Sequence, residues 1–168
     1  GPPSLASIEL SRVVDRAIRE GKVLNFKKLC IREGELMWTV LIDIYPINNC
    51  GNLFDAASLA ALAALKDAKF PKLNDKDKVD YSEKTTKKLP VDKLAISCTV
   101  FKIGNTFLID PTEEEEEFID ARLTVGVLED GSVCSLQKGE NFGLSIDEVD
   151  QMVDLAIKKT KELRKVLK

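Results

Sequence analysis

Three arginines, Arg12, Arg16 and Arg19, are spaced by four and then three residues, which stacks them along one stripe of a helix. A ladder of guanidinium groups suits successive phosphates of an extended nucleic acid, held by bidentate charge-assisted hydrogen bonds. Asp15 and Glu20 lie among them, so the same spacing also describes a solvated face neutralised by its own acids. A second cluster runs from Asp110 to Asp120, with seven carboxylates in eleven residues. Crowded carboxylates can bind Mg²⁺, here through Asp110, Glu116 and Asp120, or supply a general acid whose pKa its neighbours raise. The plainer alternative is the acidic first turn of a helix, favoured by the helix dipole. Cys50-Gly51-Asn52 places a glycine turn before an apolar helix, a general anion-binding arrangement. Neither G-x-x-x-x-G-K-[ST] nor G-x-G-x-x-G occurs, so the turn is not a nucleotide-binding motif. Gly139-Glu140-Asn141-Phe142-Gly143 reads as a loop whose glycines serve chain reversal.

Composition narrows the chemistry. None of the 168 residues is histidine, which removes the Ser-His-Asp triad, the Cys-His dyad, a His general base and His-ligated metals. Lys and Arg total 25 against 28 Asp and Glu, a formal charge of −3, so the net field does not advertise a nucleic-acid binder, although a local basic face remains open. Cys30, Cys50, Cys98 and Cys134 are separated by 20, 48 and 36 residues without a C-x-x-C pair, and read as buried free thiols rather than a zinc site or disulfides. No stretch approaches the ~20 apolar residues of a membrane span, and no signal peptide is visible, which makes a cytoplasmic protein the expectation. Abundant Lys and Glu with two Met hint at a thermophilic source. The opening Gly1-Pro2-Pro3-Ser4 lacks Met, which points to processing, tagging or truncation.

The elements that must position these groups follow from periodicity. At 44% apolar content the chain can bury one large domain or two small lobes. Residues 7–20 put Leu10, Val14, Ala17 and Ile18 on one helical face, closed by Gly21. Leu24–Arg32 and Leu36–Ile47, joined by Glu33-Gly34-Glu35, read as a hairpin buried mainly on one face. Asp55–Leu65 is apolar nearly all round and should be a buried helix. Residues 72–93 hold seven Lys and five acids and read as a polar connection with a short β excursion. Leu94–Lys102 with Thr106–Ile109, and Ala121–Leu128 with Val133–Gln137, are expected hairpins around Gly104-Asn105 and Asp130-Gly131. Ser145-Ile146-Asp147-Glu148 is a capping box opening a helix with Val149, Val153, Ala156, Ile157, Leu163 and Val166 on its apolar stripe. Hairpins against packed helices indicate an α+β fold.

Several segments together resemble one family, the RNase PH-like ring subunits of the exosome, and within it the archaeal non-catalytic paralogue. They are Pro2-Pro3-Ser4 with Ser7-Ile8-Glu9-Leu10-Ser11-Arg12-Val13-Val14-Asp15-Arg16, then Cys50 to Ala60, Leu89-Pro90 leading into Ala95–Phe101, Leu108 to Glu115, and the Ser145–Leu167 helix. The resemblance implies an RNase PH-like, ribosomal protein S5 domain 2-like βαβα fold. Its lobes would divide as residues 1–71 for the C-terminal part of the first, 72–93 as the polar connection and 94–168 for the second. The first lobe would lack N-terminal strands that a typical family member carries.

The resemblance further implies a six-membered ring in which this subunit alternates with a catalytic RNase PH-like partner, a trimer of heterodimers that degrades RNA from the 3′ end by phosphorolysis, together with RNA-binding cap subunits. Catalysis in the partner uses a Gly-Ser/Thr-Arg-type phosphate turn and two Asp six residues apart. Here the turn reads Asn49-Cys50-Gly51-Asn52-Leu53, without hydroxyl or Arg, and Asp110 is followed six on by Glu116, one methylene longer. Positioning errors of ~1 Å can cost ~100-fold in rate, so the expectation is no catalytic residue, metal or cofactor in this chain. Arg12 and Arg16 match residues of the non-catalytic subunit that reach toward RNA, with Arg19 a secondary candidate, holding single-stranded RNA by its phosphates. The rival expectations are an autonomous phosphorolytic or metal-dependent exoribonuclease built on Asp110 and nearby carboxylates, and a purely structural ring subunit.

Overall fold

Ser4 opens the first helix, α1 (Leu5–Glu20), its side chain accepting the Ser7 amide at 3.1 Å. Val13, Val14, Ala17 and Ile18 are buried beneath it, whereas Arg12, Arg16 and Arg19 lie on exposed surface. The computed structural model describes residues 2–167, with Tyr81 and Lys84 described by backbone alone; Gly1 and Lys168, the ends of the two expected lobes, lie outside the described residues.

The expected hairpin over 24–47 is much reduced. Asn25 caps a 3-10 turn at Phe26–Leu29, so only β1 (Cys30–Arg32) and β2 (Leu36–Met37) pair, ending where the Trp38 amide meets the Leu29 carbonyl at 2.8 Å. Residues 39–46 keep the alternation, with Val40 and Ile44 packed on the core and Leu41 and Tyr45 exposed, but among the described residues no strand pairs with them. Alternation reports a buried face; it does not supply a hydrogen-bonding neighbour.

Helix α2 (Leu53–Asp67) buries Asp55, Ala57, Ser58, Ala61, Leu62 and Leu65. It is not buried all round as expected, because Ala56, Ala60, Ala63 and Ala64 face outward. The polar connection is largely an antiparallel pair, β3 (Lys69–Leu73) and β4 (Val79–Lys88), carried by Phe70, which is buried against Trp38 with ring centroids 5.6 Å apart. All four cysteines are free thiols, as expected, but the expectation of burial holds only for Cys98 and, in part, for Cys134, whereas Cys30 and Cys50 are exposed.

The main sheet contains β5 (Ile96–Ile103), β6 (Thr106–Ile109), β7 (Ala121–Val127) and β8 (Val133–Gly139) in the antiparallel order β6-β5-β7-β8. The two expected hairpins form and join through β5 and β7. Between β6 and β7 the acidic run folds as a short helix, α3 (Glu113–Glu116), with Thr112 and Glu115 as a capping box. The capping box at Ser145 and Glu148 opens α4 (Ile146–Leu163). Its Met152 and Ala156 fill one sheet face with Cys98, Val100, Leu123, Val125 and Val127, while Val166, expected on this stripe, is exposed in the 3-10 turn after the helix. Burial of such side chains contributes about 1.5–3 kcal/mol each, making this layer the rigid base of the molecule. The opposite sheet face is polar yet buried, with Ser97, Thr99, Arg122 and Thr124 turned toward α1 and α2, and that face builds the site.

Candidate functional site

The turn before α2 combines three uncommon backbone conformations. Gly51 has φ +102°, Asn52 φ +50° and Asp110 φ +59°, so the α2 turn and the end of β6 both pass through the left-handed region where they meet. A Cβ on Gly51 would stand 2.1 Å from the Pro111 carbonyl oxygen, which explains glycine there: the acidic loop lies directly on the turn. The Asn52 amide donates to Glu116 Oε1 at 2.7 Å, and its side-chain amide donates to Asp55 Oδ2 at 3.0 Å and to Asp110 Oδ1 at 3.4 Å. The mouth of α2 is therefore occupied by the chain's own carboxylates.

Asp55, in the first turn of α2, is buried and accepts from the Thr99 amide at 2.9 Å and the Thr99 hydroxyl at 2.7 Å, while Thr99 Oγ1 lies 2.9 Å from Thr124 Oγ1. Burial pushes the Asp55 carboxyl pKa up, against the hydrogen bonds from Thr99 and Asn52, and the charge of Asp110 adds to the rise. A cleft of about 510 Å³ opens beside this group, lined by Asp55, Asp110, Lys159 and Glu162 with Leu59 and Val166 at its apolar side. Lys159, the one cation among the described lining residues, is held by Glu162 at 3.2 Å. An incoming phosphate would meet carboxylates with no free positive partner, which is electrostatically unfavourable in a partly desolvated cleft.

The acidic run divides. Asp110 and Glu116 converge on Asn52, whereas Asp120 accepts the Gly104 amide at 2.7 Å at the β5–β6 turn. Among the described residues, no group of three or more Cys, Asp or Glu side chains is arranged to hold a metal ion. The arginine stripe also divides. Arg19 is locked to Asp15 by two contacts of 2.8 Å, while Arg12 and Arg16 are exposed and have no ion-pair partner within 4.0 Å among the described residues. Sequence reasoning missed Asp55 and Arg122 as members of the buried polar face. The signal was present: Asp55 is the one charged residue between Leu53 and Leu65, Arg122 the one charged residue of β7, and a charge set among mainly apolar neighbours needs a partner.

Residues 1–71 match the model of domain 1 of the 3′ exoribonuclease family, and residues 93–159 match that of its domain 2. The chain belongs to the 3′ exoribonuclease family. Within it, the chain is 44% identical over 164 residues to the exosome complex component Rrp42 of Methanothermobacter thermautotrophicus, covering 97% of this chain and 60% of that relative. It is 43% identical over 169 residues to Rrp42 of Methanopyrus kandleri, covering 100% and 63% respectively. A solved Archaeoglobus fulgidus exosome with RNA bound to the active site contains a similar chain, with TM-score 0.89, 39% identity and coverage of 100% of this chain and 64% of that one. An archaeal exosome core gives TM-score 0.88 at 38% identity, covering 98% of this chain and 64% of that one. The chain thus spans somewhat less than two thirds of the length of these family members, and the α+β, RNase PH-like fold expected from the sequence is the one it has.

Proposed function

We propose that the protein is a non-catalytic subunit of an exosome-type ring that degrades RNA from the 3′ end, alternating with a catalytic RNase PH-like partner and offering Arg12 and Arg16 to the RNA. The observation that carries the non-catalytic half is Glu116 on the Asn52 amide: a carboxylate of the chain itself fills the helix N-terminus where a phosphorolytic enzyme needs inorganic phosphate. The RNA half is supported by two guanidinium groups one helical turn apart, exposed and without an ion-pair partner among the described residues, on a helix of a protein with no net positive charge. Arginine held ready for bidentate contact suits phosphate recognition without base readout. The relatives' names as exosome components and the RNA bound in a similar exosome structure support partner subunits and RNA; single-stranded RNA and RNA-binding cap subunits complete the proposed assembly. No helix among the described residues is long and apolar enough to cross a membrane, and a cytoplasmic site of action fits this reading.

The test separates the subunit from an autonomous enzyme. The full protein alone, supplied with phosphate, Mg²⁺ and a short RNA, should release no nucleoside diphosphate. The ring reconstituted with the catalytic partner should release it at the same rate whether position 110 is Asp or carries Asp110→Asn. Product formation by the lone protein that Asp110→Asn abolishes would overturn the reading.

A further inference from the structure

Arg12 has an acid one turn away on each side along α1, Glu9 three residues before and Asp15 three residues after. Either could fold onto it as an i, i+3 ion pair. Neither does, because each is held by another arginine. Both oxygens of Asp15 lie 2.8 Å from Arg19 Nη2. Glu9 is paired with Arg122 of β7, whose side chain is only 4% exposed. The Arg122 guanidinium lies 4.0 Å over the Phe54 ring, 3.6 Å from Glu140 Oε1, and against Gly139, where a Cβ would come within 2.4 Å of Cζ. Gly139 therefore makes room for the guanidinium rather than serving only chain reversal. Arg122 Nη1 is buried without a hydrogen-bond partner. Burying a guanidinium with one nitrogen unpaired is costly, so its position on the sheet face under α1 needs a reason beyond stability.

We propose that Arg122 and Arg19 act as counter-ions that keep the two neighbouring carboxylates of α1 off Arg12, so that Arg12 meets RNA phosphate as a free cation. The proposal rests on the reading of α1 as an RNA contact, and it makes Arg19 a positioning residue rather than an RNA ligand. Glu9 and Arg16 are seven residues apart and share one azimuth of the helix, so the Arg122 contact also fixes which way the stripe turns.

The experiment measures affinity for a short single-stranded RNA with the full protein assembled in its ring. Arg19→Gln frees Asp15 to pair with Arg12 and should weaken binding by about twofold at low salt, matching the ~0.2–0.5 kcal/mol of an exposed i, i+3 ion pair. Adding Asp15→Asn should restore wild-type affinity, since the competing carboxylate is gone. A double variant as weak as Arg19→Gln alone would mean that Arg19 itself touches RNA and would overturn the proposal. Arg122→Met with Glu9→Gln makes the parallel cycle, with the same expected loss and rescue. If Arg122→Met fails to fold, the exposed Arg19–Asp15 cycle still decides. A separate readout needs no RNA: in urea unfolding, Glu9→Gln and Arg122→Met should be non-additive by about tenfold or more in the folding constant, and additivity would sink the pairing. Should Arg12→Gln leave RNA affinity unchanged while that coupling persists, the RNA reading fails and the pairing alone survives.

Discussion

Replacing Gly51 by Ala tests the docking of the acidic loop on the α2 turn. At φ +102° an alanine sits where L-residues are strained, at about 1–3 kcal/mol. Its Cβ would also lie 2.1 Å from the Pro111 carbonyl oxygen and 2.9 Å from the Thr112 carbonyl carbon. Both are backbone atoms, which cannot swing aside like a side-chain tip. The loop must therefore retreat, and with it Glu116, whose charge-assisted bond to the Asn52 amide is worth about 1.5–3 kcal/mol. The sum is about 2.5–6 kcal/mol, a large share of the about 5–15 kcal/mol that holds a typical domain together. Gly104→Ala is the matched control, because Gly104 has φ +58° and nothing within 4 Å of an added Cβ, so only backbone strain of about 1 kcal/mol applies. Urea unfolding of the full protein measures both, and hydrogen exchange over residues 110–117 should accelerate in Gly51→Ala alone. A Gly51→Ala loss no larger than that of Gly104→Ala would refute the docked-loop argument.

Two further perturbations probe the base of the site. Met152→Ala empties a fully buried position between α4 and the sheet and should cost about 2–5 kcal/mol in urea unfolding. Glu148 accepts from Lys102 at 2.5 Å and from the Ser145 amide at 2.8 Å, which lower its pKa from 4.5 to about 2. A depressed folded-state value means the stabilisation is complete above 4.5 and is lost as pH falls toward 2, so Tm of the wild type should drop through that window more steeply than Tm of Glu148→Gln. Parallel Tm curves would contradict the assignment.

Local chemistry made much of the fold legible. Ser145 and Glu148 marked α4 by their capping box, and Gly104-Asn105 and Asp130-Gly131 marked the hairpins of the main sheet, because these signals act within a few residues. What depended on a distant neighbour was not legible. The alternation over 39–46 matched a strand, but pairing requires a second strand beside it. The short β excursion read in the polar connection is a longer pair, β3–β4, whose extent hid behind polar sequence that even sets Lys69 opposite Lys88 and which Phe70 holds against Trp38. At the site, the Asn49–Leu53 turn, Asp110 and Glu116 were recognisable through the family resemblance, and they do meet in space. Their self-occupation was not readable, since Asn52 and Glu116, 64 positions apart, are brought together only by the fold. Asp15 beside Arg19 was readable as an i, i+4 pair, whereas the capture of Glu9 by Arg122 joins α1 to β7, far apart in the sequence.

The central claim is that Arg12 and Arg16 hold RNA by its phosphates. Affinity of the reconstituted ring for a short single-stranded RNA, measured at two salt concentrations, tests it most directly. Arg12→Glu with Arg16→Glu should weaken binding at least about tenfold at low salt and reduce the slope of log affinity against log salt by about 1.4, two contacts at about 0.7 each. Unchanged affinity at both salt concentrations, with the ring intact, would contradict it.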